Sequence, residues 1–257
     1  MTRPDPSMFR NRLAAGEILS GTFIKTPTGH ATEIFGDLGY DFVVIDEEHA
    51  PFDRRSIDDA LVAARAAGIA GLVRVASGTP SNLLSVLDCG AVGVLVPHVA
   101  TVERAREVAA ACRYRNGSRG FSNSPRAGHY GGLNLTQHID QGDAITTVIA
   151  QIEDPAAILV VEEIARVEGI DALFVGRGDL AAAMGESSSD APSVRAASER
   201  VARAARAAGK PVLFFVGSLA DASAMREIGG SGFVYASDQS LMRQAAAKAL
   251  ADIKTLK

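Results

Sequence analysis

Cysteine is scarce in this sequence, which has two among its 257 residues, Cys89 and Cys112. Two cysteines are too few for a disulfide framework. Neither belongs to a C-x-x-C motif or a cysteine–histidine cluster, so structural zinc is also unsupported. We therefore expect both thiols to be small apolar groups of the core.

Long apolar runs and an excess of positive charge are missing too. No stretch reaches the roughly 18 consecutive apolar residues of a membrane span, and the first seven residues lack the apolar segment of a signal peptide. Twenty-six basic against thirty acidic side chains give a net charge of −4, which offers no electrostatic footprint for a polyanion. We predict a cytoplasmic protein whose partners include neither nucleic acid nor a membrane.

The sequence does contain a recurring unit: a β-branched apolar run, a few polar residues, and an Ala-rich stretch with helical spacing. This alternation predicts βα units. Eight units in 257 residues average about 32 residues each, close to the roughly 30 of a βα crossover. We therefore predict one (β/α)₈ barrel domain over residues 1–257. The predicted strands are 21–25, 42–46, 71–75, 93–97, 147–152, 172–176, 211–216 and 232–236, and the predicted helices cover about 28–38, 54–67, 79–89, 101–113, 155–167, 194–208, 218–229 and 239–254.

An open doubly wound sheet is the alternative architecture. Such sheets usually have fewer strands and a G-x-G-x-x-G motif after the first one, where this chain has Lys25-Thr-Pro-Thr-Gly29. Residues 114–145 depart from the βα rhythm as a long connection between the fourth and fifth strands. Connections of that length are usually functional or contact a partner.

Polar residues gather where the predicted strands end, which is where a barrel of this kind carries its active site. The second strand ends in Asp46-Glu47-Glu48-His49, and the third carries Arg74. The fifth ends in Gln151-Ile152-Glu153, and the sixth runs into Gly176-Arg177-Gly178-Asp179. The seventh and eighth end without charged clusters, which argues against a phosphosugar isomerase or epimerase.

Glu153 and Asp179 end neighbouring strands, and two adjacent carboxylates need a cation or a shared proton. With oxygen ligands and no nearby cysteine, the cation should be hard: Mg²⁺ or Mn²⁺, with Co²⁺ as a further option. The structural alternative is that Glu153 caps the following helix and Asp179 caps the short turn at 180–184.

Three other side chains have both a functional and a structural interpretation. His49 could be a base whose tautomer the nearby Asp46 fixes, or a loop histidine bonded to backbone. Arg74 could bind a carboxylate or enolate, or form a buried ion pair. Asp88 ends a predicted helix, where the dipole disfavours an anion, so we expect a tertiary partner for it. The loop interpretation applies equally to His30, His98, His129 and His138.

These residues lie in blocks that resemble the HpcH/HpaI family of metal-dependent pyruvate aldolases and, more distantly, the citrate lyase β-subunit group. Residues 39–53, Gly-Tyr-Asp-Phe-Val-Val-Ile-Asp-Glu-Glu-His-Ala-Pro-Phe-Asp, are similar to the family's G-[FY]-D-x-x-x-I-D-x-E-H-x-P block. The resemblance runs from about residue 20 to 240. Further blocks follow in the family's order at 86–91, 94–97, 113–114, 119–120, 150–153 and 167–176.

The resemblance implies the roles of several residues. Glu153 and Asp179 would hold the divalent metal, and Arg74 would contact the keto acid and stabilise its enolate. His49, oriented through Asp46 or Asp88, would act with a water as the acid/base group. The residues that would adjoin the bound substrate are Arg74, Gln151, Gly178 and Asp179.

The implied reaction is reversible retro-aldol cleavage of a 4-hydroxy-2-oxo acid to pyruvate, or a related 2-keto acid, and an aldehyde. No Schiff-base lysine is required, in keeping with Lys25 being the sole lysine on the predicted strands. The resemblance also implies a homohexamer, a trimer of dimers, with an exchanged C-terminal helix. The alternatives are an acyl-CoA lyase of the same superfamily and a barrel isomerase or epimerase.

One departure from the family pattern concerns the metal site. Gly176-Arg177-Gly178-Asp179-Leu180-Ala181 replaces the family's usual G-P-x-D-L-S and puts a cation beside a predicted metal ligand. Arg177 could lower metal affinity or bind an anionic end of the substrate.

Overall fold

The structure is a computed structural model that describes residues 5–256. Its strands form a closed barrel in sequence order, every pair is parallel, and the last strand pairs with the first. The predicted (β/α)₈ barrel is confirmed, while the ends of the predicted domain, residues 1–4 and 257, lie outside the described residues. The strands are β1 Leu19–Ile24, β2 Phe42–Asp46, β3 Ala70–Arg74, β4 Gly93–Val96, β5 Thr147–Ile152, β6 Ala172–Val175, β7 Val212–Val216 and β8 Gly232–Ser237.

Helices follow the strands as the spacing predicts, with three more in between. The predicted helix over 155–167 is interrupted at Val160, whose φ of −120° and ψ of 18° are not helical. The helices are α1 Phe9–Ala14, α2 Gly29–Leu38, α3 Arg54–Ala67, α4 Pro80–Asp88, α5 Val102–Ala111, α6 Leu135–Ile145, α7 Pro155–Leu159, α8 Val161–Arg166, α9 Arg177–Ala183, α10 Pro192–Ala207, α11 Leu219–Glu227 and α12 Asp238–Lys254. The additional ones are α1, α6 and α9.

Two cores result from this arrangement. One lies between the strands and the surrounding helices, and the other fills the barrel interior. Phe9 and Leu13 of α1 belong to the interior core, and the Phe9 ring lies 5.2 Å from that of Phe42. Gly21 is required here because any β-carbon would overlap the Phe42 ring. Packing therefore closes the amino end of the barrel.

The long connection after α5 packs against its own barrel. His138 of α6 is fully buried, with ring nitrogens 3.1 Å from the Tyr114 hydroxyl and 2.9 Å from Asn123 Oδ1. Burial and the charge of Arg119, whose guanidinium lies 4.4 Å from the Tyr114 ring centroid, lower the pKa of His138. These contacts order a segment that the sequence alone shows only as polar and glycine-rich.

Both cysteines are buried, as expected, and burial raises the pKa of Cys112 to about 12. None of the helices within residues 5–256 combines the length and apolar character needed to cross a membrane. The cytoplasmic location stays a prediction.

The last helix, α12, is anchored only near its start. Asp238 is buried and accepts hydrogen bonds from the backbone N–H groups of Lys25 and Thr26 at 2.8 and 3.0 Å. Beyond it, apolar side chains project outward without cover from the described chain. The larger ones are Met242, Leu250, Ile253 and Leu256.

Candidate active site

Asp46 lies at the end of β2 and organises the cationic half of the barrel mouth. It is fully buried and accepts hydrogen bonds from Arg74 Nε at 2.9 Å and Nη2 at 2.8 Å. Lys25 Nζ lies 3.0 Å from the same carboxylate, just beyond β1. Burial alone would raise the pKa of Asp46, but Arg74 and Lys25 hold that pKa below its usual range. The carboxylate is therefore a fixed anion that orients two cations.

Arg74 is buried at the end of β3, beside Asp46 in the sheet register. Its guanidinium carbon lies 4.5 Å from the centroid of the Phe23 ring, a favourable cation–π distance. Its Nε also lies 3.4 Å from Glu48 Oε2. The structure thus shows the buried ion pair, and contact with a substrate stays a prediction.

Glu48, His98 and Glu153 form an acidic cluster next to Arg74. They follow β2, β4 and β5, and their ligand atoms lie within 4.8 Å of one another. Glu153 is buried; one of its oxygens accepts the backbone N–H of His98 at 2.8 Å, and the other accepts the amide of Gln151. The mouth therefore has an anionic half beside its cationic half.

Asp179 joins this cluster across Gly176. A β-carbon at Gly176 would lie 2.9 Å from Glu153 Oε2 and 3.5 Å from Asp179 Oδ2, so both carboxylates border the same small space. Any side chain at Gly176 would intrude there. The two carboxylates predicted to share a cation thus lie close together.

The cluster perturbs the acidity of its members. Burial raises the pKa of Glu153, the bonds from Gln151 and His98 oppose the rise, and the charge of Asp179 adds to it. For His98, burial lowers the pKa, but the bond to Asp154 and the charges of Glu153, Asp154 and Glu48 outweigh burial and raise it. A cation at this position would relieve the repulsion among the carboxylates.

The donors present fit a divalent cation. Gln151 Oε1 is buried without a hydrogen-bond partner among the described residues, and Glu48 Oε2, also buried, makes no hydrogen bond there although Arg74 Nε lies 3.4 Å away. Buried polar atoms without partners are costly, and the carboxylate and imidazole groups are ligands for hard to borderline metals. Glu153 and Asp179, with Glu48 and His98 beside them, are the residues that could hold such an ion.

Comparison with known proteins agrees with this geometry. The sequence model of the HpcH/HpaI aldolase/citrate lyase family matches residues 19–245. The chain belongs to this family. It is accordingly a lyase, and the predicted resemblance is confirmed.

Several known proteins are similar over nearly the whole chain. A protein named 5-keto-4-deoxy-D-glucarate aldolase from Escherichia coli is 34% identical, with 96% of each chain covered. A family protein from Burkholderia cenocepacia J2315 has a crystal structure that superposes with a TM-score of 0.92 at 32% identity, covering 96% of this chain and 99% of that one. The crystal structure titled citrate synthase SbnG gives a TM-score of 0.87 at 27% identity, covering 96% and 97%.

The helix-capping alternatives for the two carboxylates are wrong. The residue that precedes α7 is Asp154, whose side chain approaches His98 at 3.2 Å and makes no capping bond. Helix α9 begins at Arg177, so Asp179 lies inside its first turn. Gly178 and Asp179 are exposed there, and Gly178 borders open space. Both are accessible from the mouth.

His49 and Asp88 lie apart from each other. The His49 ring is exposed at the mouth, and its Nε2 lies 3.7 Å from Glu48 Oε2. Asp46 accepts the backbone N–H of His49 at 3.2 Å, and this contact does not involve the imidazole. Asp88 ends α4 and precedes the start of β4, on the outer wall away from the mouth. Its expected tertiary partner is confirmed as Arg119, at 3.3 Å. Within one chain, Asp88 does not reach His49.

The hypothesis that Arg177 places its charge beside the predicted metal ligands is wrong. Its guanidinium is buried against Asp221 at 2.6 Å and the backbone oxygen of Phe215 at 2.9 Å, and also meets Asp190 at 3.2 Å. Arg177 therefore ties the start of α9 to the end of β7 and the start of α11.

Sequence reasoning missed Lys25, Glu48 and His98 as site residues. His98 adopts a φ of +54°, unusual for a non-glycine residue, directly after β4. A signal was available, because all three residues follow the carboxyl end of a strand. Their convergence depends on closure of the barrel.

Proposed function

We propose that the protein is a divalent-metal-dependent, class II aldolase. It would cleave a 4-hydroxy-2-oxo acid to pyruvate, or a related 2-keto acid, and an aldehyde, and would run the reverse reaction. The observation that carries this proposal is that a positively charged group and a cluster of possible metal ligands lie side by side at the barrel mouth. Arg74 Nε lies 3.4 Å from Glu48 Oε2, at the edge of the Glu48–His98–Glu153 cluster. The relatives named as aldolases support it.

Glu153 and Asp179 would hold Mg²⁺ or Mn²⁺, with Co²⁺ as a further option, and Glu48 and His98 lie close enough to assist. The chemistry that such a cation supplies is polarisation of the substrate's 2-keto oxygen, which lowers the cost of negative charge on the enolate. Gln151 keeps Glu153 in place through its amide bond. Gln151 and Gly178 would also border the bound keto acid.

Arg74 would donate to the keto acid and stabilise the enolate as charge develops. Its own orientation is fixed beforehand by the two bonds to Asp46 and by the Phe23 ring. His49, with its ring exposed at the mouth, would exchange the proton of the hydroxyl group through a water. Positioning before the reaction starts is what makes such donors effective.

The exposed apolar side of α12 supports assembly with other copies of the chain. Monomeric proteins seldom leave a contiguous apolar face uncovered, and Met242, Ile253 and Leu256 are each more than half exposed. We infer the predicted homohexamer, a trimer of dimers with exchanged C-terminal helices. Asp88 could contribute to a site only if a neighbouring copy presents it. Sedimentation equilibrium should give six chains per particle, and a monomer would contradict this assembly.

Enolisation tests the reaction without knowledge of the aldehyde. Incubation with pyruvate in deuterated water and Mg²⁺ or Mn²⁺ should exchange the methyl protons, observed by proton NMR after chelation of the metal. Chelator added at the start should stop the exchange. Absence of exchange with each of these metals would sink the proposal.

An acyl-CoA lyase is the second candidate, favoured by the similarity to the structure titled citrate synthase SbnG. Such an enzyme would act on CoA thioesters, so these compounds separate the two candidates. Turnover of a CoA thioester without any pyruvate exchange would favour the acyl-CoA lyase over the aldolase.

A further inference from the structure

Asp179 depends on its own backbone for its position in the proposed metal site. Glu153 is fixed by the backbone N–H of His98 and by the amide of Gln151, whereas the Asp179 carboxylate makes no hydrogen bond to another residue within 5–256. Asp179 is also exposed, at the third position of α9. Its place at the barrel mouth is therefore set by the turn that carries it.

That turn has little rigidity of its own. Helix α9 has seven residues, fewer than the roughly 12–15 that an isolated helix needs to be stable in water. Its second residue, Gly178, is exposed and is of the type that loses most conformational entropy on folding. Leu180 is buried and anchors the later part of the helix. The start of α9 needs an anchor from elsewhere in the fold.

Arg177, the first residue of α9, supplies that anchor. Its side chain is 8% exposed, and Nη2 donates to Asp221 Oδ2 at 2.6 Å and to the carbonyl oxygen of Phe215 at 2.9 Å. Nη1 donates to Asp190 at 3.2 Å, a weaker contact because that carboxylate is 78% exposed. The planar guanidinium thus joins the turn after β6 to the end of β7 and the start of α11.

The main acceptor, Asp221, is itself fixed. It lies in the first turn of α11, where its N–H donates to the Ser218 hydroxyl at 3.1 Å. Its Oδ2 also accepts the N–H of Gly217 at 3.1 Å, so one oxygen binds both the segment after β7 and the arginine from α9. Because breaking a buried pair is strongly destabilising, the start of α9 cannot move freely.

We propose that Arg177 is a positioning residue for the metal, which holds the first turn of α9 so that Asp179 faces Glu153. This inference rests on the proposed aldolase function, in which these two carboxylates hold the cation. Arg177 would contact neither the cation nor the substrate, since its guanidinium is directed to Asp221. Removal of residues that support a metal ligand typically weakens metal binding about 10- to 100-fold.

The charge of Arg177 and its anchoring role predict effects of opposite sign. By charge alone, a cation two residues from Asp179 repels a divalent ion, so its removal should tighten metal binding. Loss of the anchor lets Asp179 leave the site, so the same removal should weaken metal binding. The affinity for Mn²⁺, measured by electron paramagnetic resonance on the full chain, therefore distinguishes the two effects.

Three variants test the anchoring role. Arg177→Met should weaken Mn²⁺ binding by at least about 10-fold. Arg177→Pro should bind Mn²⁺ within about 3-fold of the natural protein, because proline at the first position of a helix fixes φ and stiffens the same turn without the side-chain bonds. Asp221→Asn keeps the side-chain shape, loses the charge that holds Arg177, and should weaken binding by about 3-fold or more.

The matched control is Arg113→Met, which also removes a buried arginine from an ion pair. Arg113 is 12% exposed and lies 2.7 Å from Asp171, which precedes β6 at the opposite end of the barrel from the mouth. This variant should bind Mn²⁺ as the natural protein does. All proteins are compared below their unfolding midpoints, so that a loss of stability alone does not lower the measured affinity.

Equal or tighter Mn²⁺ binding in Arg177→Met would overturn the inference, as would a loss in Arg177→Pro as large as that in Arg177→Met. If Arg177→Met does not fold, unchanged binding in Asp221→Asn would overturn it equally. The pyruvate exchange experiment reports separately on the proposed function. Metal-dependent exchange with unchanged Mn²⁺ binding in Arg177→Met removes the role of Arg177 alone, whereas a natural protein without exchange or Mn²⁺ binding removes the aldolase as well.

Discussion

Glu153→Gln is expected to abolish metal-dependent turnover while leaving the fold intact. Glutamine has the same shape as glutamate but lacks the negative charge. The Glu153 carboxylate and that of Asp179 border the same small space at Gly176. Loss of a metal's charge stabilisation is worth several kcal/mol, so pyruvate exchange should fall by about a thousand-fold or more. Mn²⁺ binding, measured by electron paramagnetic resonance, should weaken in parallel.

Stability should not fall with the activity in this variant. Burial already raises the pKa of Glu153, so the charged form is costly in the folded protein, and a neutral amide removes that cost. We expect an unfolding midpoint equal to or above that of the natural protein. The matched control is Glu162→Gln on α8, where the carboxylate is exposed and pairs with Arg200. Unweakened Mn²⁺ binding in Glu153→Gln would refute the metal assignment.

Arg74→Ala is expected to slow enolisation by about 10²- to 10³-fold, equivalent to roughly 2.7–4 kcal/mol for the loss of one transition-state donor. The physical reason is that the guanidinium is held in advance by Asp46 and Phe23, so it meets developing charge without reorganisation. The measurement is the rate of pyruvate methyl exchange at saturating pyruvate and metal. A change confined to KM would show that Arg74 binds the ground state only.

Removing Arg74 also breaks a buried pair, which typically costs about 3–5 kcal/mol of stability. Lys25 remains beside Asp46 and should limit that loss. Arg74→Lys separates the two effects, because it keeps the charge and loses the two-bond geometry. Its control is Arg200→Lys, which alters an arginine that pairs with Glu162 through two bonds at the surface. We expect exchange to fall in Arg74→Lys and not in Arg200→Lys.

The local sequence pattern was sufficient to predict the barrel and the proximity of Glu153 and Asp179. Each strand is a mainly apolar segment of at most six residues, and each predicted strand overlaps an observed one. Two helix ends carry residue types suited to their positions: Thr101 accepts from the N–H of Arg104 at the start of α5, and Gly68 takes a φ of +64° after α3. The short α1 was missed because two turns give too little periodicity to recognise.

Which side chains line the barrel mouth could be decided only from the tertiary structure. Arg177 stands beside Asp179 in sequence, yet it turns away because Asp221, 44 residues later, provides a buried partner. Asp88 lies at the far end of a helix that runs back along the barrel wall, so nearness in sequence to other site residues does not bring it to the mouth. Lys25, Glu48 and His98 join the site because a closed barrel brings the carboxyl ends of its strands together around one axis.

The sequence by itself determined which segments form strands and which family the chain resembles, since both depend on residues close together in the chain. Only the tertiary structure decided which polar side chains face one another, because that depends on partners from strands and helices far apart in sequence.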